Sequence, residues 1–416
     1  MKKLILTIII FTFCAFFSFF FTATAAASSQ NNNNQFQSYL RQGIKKAFNM
    51  EFSNANTCLQ KAVESDRENP TGYAFLATIN LFAYEMSFDE NVRKSKEDLL
   101  QRYVDETIAR GEKRIGKNPK DGKAYLAMAM ARIVRFKFAI RHKQYFRMGR
   151  EASTIWEYLE KAKENDPQNC DIYFLTGSFR YHIDHLPRLT RFLSSMVVTS
   201  GDKQRGMQEL ELAAQKGDLL QQLALSELSA NYLNFEKQPA RALPIIQKLR
   251  ETFPNNYNFS FALANALSDL HRFDDAFNVA REIEKNIAAG VHPFVPQLQP
   301  RYDQLMGRIY FTQGDYIKAE IFLQKAIQDP TPYNARVRSW AYLRLGMISD
   351  ARKERKKAKE YYFKALDTKE GEGAAQFEAG KCIKAPCIPS DKKKTADTIP
   401  LSLANFVGVV VGFLNV

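Results

Sequence analysis

"ARALPIIQKLRETFP", residues 240–254, decides how the rest of the chain is read. Ala242, Ile246 and Leu249 stand at offsets 0, 4 and 7, which is one face of a helix, and Pro254 at offset 12 ends it. Thirty-four residues later the first three positions return as Ala276, Ala280 and Ile283. They return again as Ala319, Leu323 and Ala326, and once more as Ala358, Tyr362 and Ala365. The intervals are 34, 43 and 39 residues, the last two being 34 plus insertions of nine and five. A period of this size marks a chain built from one supersecondary unit used repeatedly.

A partner helix precedes each of these. Its small-residue position is filled by Ala77, Ala129, Gly177, Ala230, Ala264, Gly307 and Gly346. Four residues earlier stands Tyr73, Tyr125, Tyr173 or Tyr342 in several units. A small side chain lets the facing helix approach, and a large one on the next turn fills the space beside it. Pro119, Pro167 and Pro254 close the second helices or open the next unit.

This pattern resembles the tetratricopeptide repeat, a helix–turn–helix unit of 34 residues. It covers residues 37–368, regularly from 223 onward and more loosely before, with a longer helix pair around 75–116. The resemblance implies an all-α, right-handed α-solenoid of about eight such units. It also implies a concave groove holding a peptide or helix of a protein partner, and so binding rather than catalysis. Asn80, Arg132, Asn231 and Asn265 are the candidate groove contacts. The stretch 173–216, with its Pro-containing apolar insertion followed by "SGD" and a glycine, is similar to a subset that includes bacterial exported proteins.

Composition agrees with a helical globular chain. Of 416 residues, 45% are hydrophobic and 25% charged, which excludes a disordered chain. Glycine and proline, at 19 and 15, are sparse enough for long helices.

Both ends differ from the middle. Lys2 and Lys3 precede an apolar run, Leu4–Phe21, and Ala25 and Ala27 form an A-x-A site. The expectation is a signal peptide over 1–27, with an uncleaved anchor as the alternative, and a flexible lead-in over 28–36. Either way the chain is extracytoplasmic, in the periplasm or at the cell surface. Residues 369–398 read as a linker holding Cys382 and Cys387, close enough to form a disulfide in an oxidising compartment. Cys58 and Cys170 read as free thiols. The apolar tail 399–416 contains Gly408 and Gly412 and has three readings: a membrane anchor, a glycolipid-anchor signal, or a cap on the last repeat.

"YHIDHLPRLTRF", 181–192, looks most like an active site. His182 and His185 are spaced to share a helical face, yet a metal site needs further ligands, and the chain has only five histidines. The favoured reading is a helix end stopped by Pro187, with histidines near its last carbonyls; His182 and His185 remain weak metal candidates. An apolar insertion at 189–198 is expected to pack into the superhelix or onto a partner. No nucleophile-elbow, phosphate-loop or dinucleotide motif occurs, and no cofactor is implied. Ser200 or Asp202 is expected to cap the helix that follows.

The formal net charge is +14. The stretch 131–150 holds seven Lys or Arg and no acid. If it is one unbroken helix, Arg132, Arg135, Lys143, Arg147 and Arg150 fall on one side, interleaved with aromatics. Two readings follow: a solvated face, or a patch for an anionic envelope polymer, lipid or small molecule. With no nucleic-acid motif and an export segment, nucleic acid is not an expected partner.

Overall fold

The twelve residues that define the second-helix period are all sealed from solvent. In the computed structural model Ala242, Ile246, Leu249, Ala276, Ala280, Ile283, Ala319, Leu323, Ala326, Ala358, Tyr362 and Ala365 are each at most 1% exposed. The structure describes residues 33–141, 144–184, 201–369, 371 and 373–388. The leader 1–27, Lys143, His185, the insertion 189–198 and the tail 399–416 lie outside the described residues.

Among the described residues the chain forms seventeen α-helices and no strand. The first half holds α1 (33–48), α2 (Phe52–Ser65), α3 (Pro70–Glu85), α4 (Glu90–Lys117), α5 (Gly122–Arg141), α6 (Tyr145–Asn165), α7 (Asp171–Asp184) and α8 (Lys203–Lys216). α9 (Gln221–Ala230) continues into a π-helical turn, Asn231–Phe235. The second half holds α10 (Pro239–Thr252), α11 (Tyr257–Asp269), α12 (Phe273–Ala288), α13 (Gln299–Gln313), α14 (Tyr316–Ala326), α15 (Ala335–Ala351), α16 (Arg355–Asp367) and α17 (Ala374–Lys384). Eight helix pairs, α1/α2 to α15/α16, follow one another, and α17 packs on the last pair. Short polar residues start many of them. The Asn69, Asp89, Asp202, Asn256 and Asp315 side chains each accept a backbone N–H of the helix they precede.

Each second helix also packs on the first helix of the next unit, and first helices of α3/α5, α7/α9, α11/α13 and α13/α15 pack on one another. First helices therefore occupy the inside of the curve. Burial says the same: 11 of 13 residues of α11 are buried, against three of 14 in α10. The small-residue positions are contact points. A Cβ on Gly307 would stand 2.6 Å from the Leu323 side chain, and one on Gly346 would clash with the Tyr362 ring. In the fourth unit both helices carry glycine, and a Cβ on Gly177 would meet the Gly206 carbonyl oxygen at 2.8 Å.

The curve closes on itself. Phe48 at the end of α1 lies 5.3 Å from Phe253, ring to ring. The Asn256 side-chain amide donates to the Phe48 carbonyl at 2.8 Å, and Arg41 pairs with Asp218 at 2.7 Å. Farther along, the Tyr333 ring takes the Arg93 guanidinium at 4.2 Å and the Phe88 ring edge-on at 5.9 Å.

Two boundaries differ from the sequence reading. Residues 33–36 are already helical, and Phe36, 1% exposed, belongs to the core and not to a flexible lead-in. Within the supposed linker, 374–384 is helix α17, with Ala375, Ala379 and Cys382 buried. Alanine at the contact positions lets so short a helix lie close against α15 and α16. Cys382 and Cys387 are joined by a disulfide. Asp350, 3% exposed, ties this end together. It accepts from Arg355 at 2.9 Å, from the Tyr362 hydroxyl at 2.8 Å and from the Cys387 backbone N–H at 2.8 Å. No helix among the described residues is long and apolar enough to cross a membrane.

Candidate functional site

The fold points first helices inward, so the inner residues of α7, α9 and α11 form one surface. On α7, Ser178 and His182 are one turn apart, and both reach Glu227 of α9. His182 Nε2 lies 2.9 Å from Glu227 Oε1, and the Ser178 hydroxyl donates to that same oxygen. His182 is 1% exposed and Glu227 4%. The serine addresses the carboxylate and not the imidazole, so the arrangement does not activate a hydroxyl as a nucleophile. Among the described residues no group of three or more His, Cys, Asp and Glu converges as metal ligands.

The surface continues through Asn231, Asn265 and Arg308. Each directly follows the small-residue position of its unit, so the repeat places them in register. This surface holds unused hydrogen-bonding capacity. His182 Nδ1, Glu227 Oε2, Asn231 Nδ2, Asn265 Oδ1 and Ser268 Oγ are buried and have no hydrogen-bond partner among the described residues. Buried polar groups are nearly always bonded, so five unpaired atoms along three neighbouring helices call for a cause.

The other sequence candidates are placed differently. Asn80, 2% exposed, is already committed: it donates to the Leu76 carbonyl at 2.8 Å and to Asn56 at 3.1 Å, and accepts from Lys96 at 3.0 Å. Arg132 pairs with Glu151 at 3.0 Å, and Arg135 with Asp105 at 2.5 Å. The stretch 131–150 is not one helix, because α5 ends at Arg141 and α6 starts at Tyr145. Arg132 and Arg135 therefore stand on a different helix from Arg147 and Arg150. Of the rest, Arg150 is exposed and Arg147 partly so, beside a Phe146 that is 99% exposed. Asp202 caps α8, accepting from the Arg205 N–H at 2.9 Å. Cys58 and Cys170 are unpaired and half-buried.

Sequence reasoning missed the inner charges. Lys137, 5% exposed, sits 3.6 Å from Glu85, and burial pushes its ammonium down. In the later units are Arg308, held by Asp269 at 2.8 and 2.9 Å, the buried Arg344 and the exposed Lys237. Arg308 was findable, since it extends the Asn231–Asn265 register by one unit. Arg344 and Lys237 lie off that register. A cleft of about 730 Å³ also opens between α8, the π turn and α10. Its charges are satisfied internally, Lys203 by Glu236 at 2.8 Å and Arg241 by Glu211 at 3.0 Å.

The fold is an all-α solenoid of tetratricopeptide-like repeats. No protein-family model matches the sequence. No curated protein is significantly similar to it. Among solved structures, the chain is similar to a human IFIT1 dimer with m7Gppp-AAAA, at 13% identity and a TM-score of 0.43, covering 85% of each chain. It is also similar to the P58(IPK) TPR domain, at 12% identity and a TM-score of 0.22, covering 84% of this chain and 97% of that one. At these values neither likeness bears on what the chain binds.

Proposed function

We propose that the chain is a non-enzymatic binding scaffold of the cell envelope, holding an extended segment of a protein partner against the inner face of units 4 to 6. The observation that carries this is the row of buried, unpaired polar atoms from His182 to Ser268. A peptide backbone offers donors and acceptors in alternation and would satisfy such a row. Export is supported by the Lys2–Lys3 leader with its A-x-A site, and by the Cys382–Cys387 disulfide, a bond that persists in oxidising compartments.

The test is selection of binding peptides from a random library, followed by titration against Asn231→Ala and Asn265→Ala. Each substitution is expected to weaken binding about fivefold to tenfold with the helical signal unchanged, the worth of one or two hydrogen bonds. Unchanged affinity in both would refute the reading. A second reading rests on the exposure of Phe146 beside Arg147 and Arg150. Here an anionic envelope polymer or lipid headgroup binds the outside, and Arg147→Gln with Arg150→Gln abolishes a salt-sensitive affinity.

A further inference from the structure

Unit 7 shows what one side of a second helix does when another unit follows it. Glu320 of α14 pairs with Arg352 at 2.6 Å and with Lys357 at 3.7 Å, and the Gln324 side chain donates to the Tyr361 hydroxyl at 2.8 Å. Ile327, just past α14, packs against the core shared with α15. All three residues are half-buried. The repeat interval from Ala319 to Ala358 is 39 residues, so the same side of α16 carries Lys359, Phe363 and Leu366. All three are exposed, Phe363 by 50% and Leu366 by 36%. A solenoid needs a polar outer face on its terminal unit, and this one presents a phenylalanine and a leucine there.

Helix α17 is half of a further unit. It packs on α15 and α16 as α15 packs on α13 and α14, which is the place of a ninth first helix. Among the described residues no second helix follows it. Its own small residue marks the gap. Gly307 and Gly346 lie against Leu323 and Tyr362 of their second helices, whereas among the described residues nothing lies within 4 Å of a Cβ on Gly380. The chain also leaves from the right place. Arg355, at the start of α16, donates to the Cys382 and Ile383 carbonyls at 2.7 and 2.8 Å, and the Cys387 N–H donates to Asp350 at 2.8 Å. Ile388, 59% exposed, therefore follows from the end of the molecule where α16 begins, which is where a ninth second helix would start.

We propose that residues 399–416 cover this face, lying along α16 and α17 in the place of the missing second helix. Residues 389–398 supply the connection, and ten residues reach up to about 33 Å. Phe363 lies eight residues into α16 from Arg355, about 12 Å along the axis, so the connection is ample. Residues 399–416 contain no ionisable side chain, and Ala404, Gly408 and Val411 stand at the offsets 0, 4 and 7 of the earlier second helices. A second copy of the chain fits the face less well. It would bring Lys356, Lys359 and Lys364, all exposed, against their own counterparts. The proposal is independent of the peptide reading, which uses the inner face of units 4 to 6.

Hydrogen exchange of the full chain, read by mass spectrometry in detergent-free buffer, tests it. Amides in 399–416 are expected to exchange at least about tenfold slower than the rate intrinsic to their sequence. Hundredfold dilution and vesicles of phosphatidylcholine with phosphatidylglycerol leave that protection unchanged. Phe363→Lys returns it about tenfold toward the intrinsic rate, the worth of keeping one aromatic side chain in water. Leu366→Lys acts in the same direction, and exchange in α1 to α12 stays at the parent's level in both variants. Ile317→Lys, at a position of α14 that is 72% exposed, leaves 399–416 unaltered. The proposal is overturned if 399–416 exchange at the intrinsic rate, or if Phe363→Lys and Leu366→Lys have no more effect than Ile317→Lys. Protection gained only on vesicles also overturns it and makes the segment a membrane anchor. Protection lost on dilution overturns it in favour of a second copy.

Discussion

Gly206→Ala should unsettle the fourth unit, and the structure gives the size of the effect. A Cβ on Gly206 would stand 2.6 Å from the Tyr181 backbone nitrogen, 2.8 Å from the Gly177 carbonyl oxygen and 2.9 Å from the Tyr181 Cα. All three atoms are main chain of α7, so no rotamer change relieves the contact. Reaching an ordinary 3.4 Å separation moves the two helices apart by about 0.8 Å, the difference from 2.6 Å. Overpacking of this kind costs roughly 1–3 kcal/mol, with the upper end fitting an obstacle made of backbone. Alanine's better helix propensity returns about 1 kcal/mol, leaving a net loss near 2 kcal/mol. Gly149→Ala on α6 is the control, because among the described residues nothing lies within 4 Å of its Cβ. It should gain about 0.5–1 kcal/mol. Urea unfolding is followed by far-UV circular dichroism and by Trp156, which lies 6.5 Å from Phe179 on α7 and so reports on this unit. If Gly206→Ala is as stable as the parent while Gly149→Ala behaves as stated, the close crossing of α7 and α8 is wrong.

Three further outcomes are expected. Phe48→Ala removes a ring that is 7% exposed and touches Phe253; it should cost about 3 kcal/mol and increase the radius of gyration measured by small-angle scattering. Arg355→Met strands the buried Asp350 carboxylate and should cost about 3 kcal/mol in thermal melts, with Asp350→Asn added in the same chain recovering part of the loss. Glu51 accepts from the Asn49 and Asn54 side chains, which hold its carboxyl below the ordinary 4.5. Its contribution is present above that value and is lost as pH falls through it toward the lowered one, so Glu51→Gln should flatten the acid side of the stability profile.

The periodic positions were legible because they are purely a matter of packing. A small residue facing Leu323 or Tyr362 leaves the same trace in any unit, and spacing alone reveals it. Helix α17 was not legible: it has neither the period nor a partner helix of its own, and its contacts are supplied by α15 and α16. The site divides in the same way. Asn231 and Asn265 were found through register, and Arg308 lies one step farther along it. The partnership of His182 with Glu227 joins residues 45 apart through two first helices, which no local pattern encodes. Arg132 and Arg135 read as free cations because Glu151 and Asp105 reach them from other helices. Arg344 owes its burial to what surrounds it in space, and its neighbours in the chain, Leu343 and Leu345, say nothing of that.

The bonds between α1 and the α10–α11 turn bear on how the molecule divides. An open repeat array can be shortened from either end, because each unit answers only to its neighbours. Here Asn256 donates to Phe48 across 208 positions of sequence. Removing the first pair would take an acceptor, a ring and an ion-pair partner away from the middle of the chain. Fragments cut at unit boundaries would then behave less like a shorter ruler than like a hoop with its clasp removed, and loss of the amino-terminal pair would register in hydrogen exchange at α10 and α11.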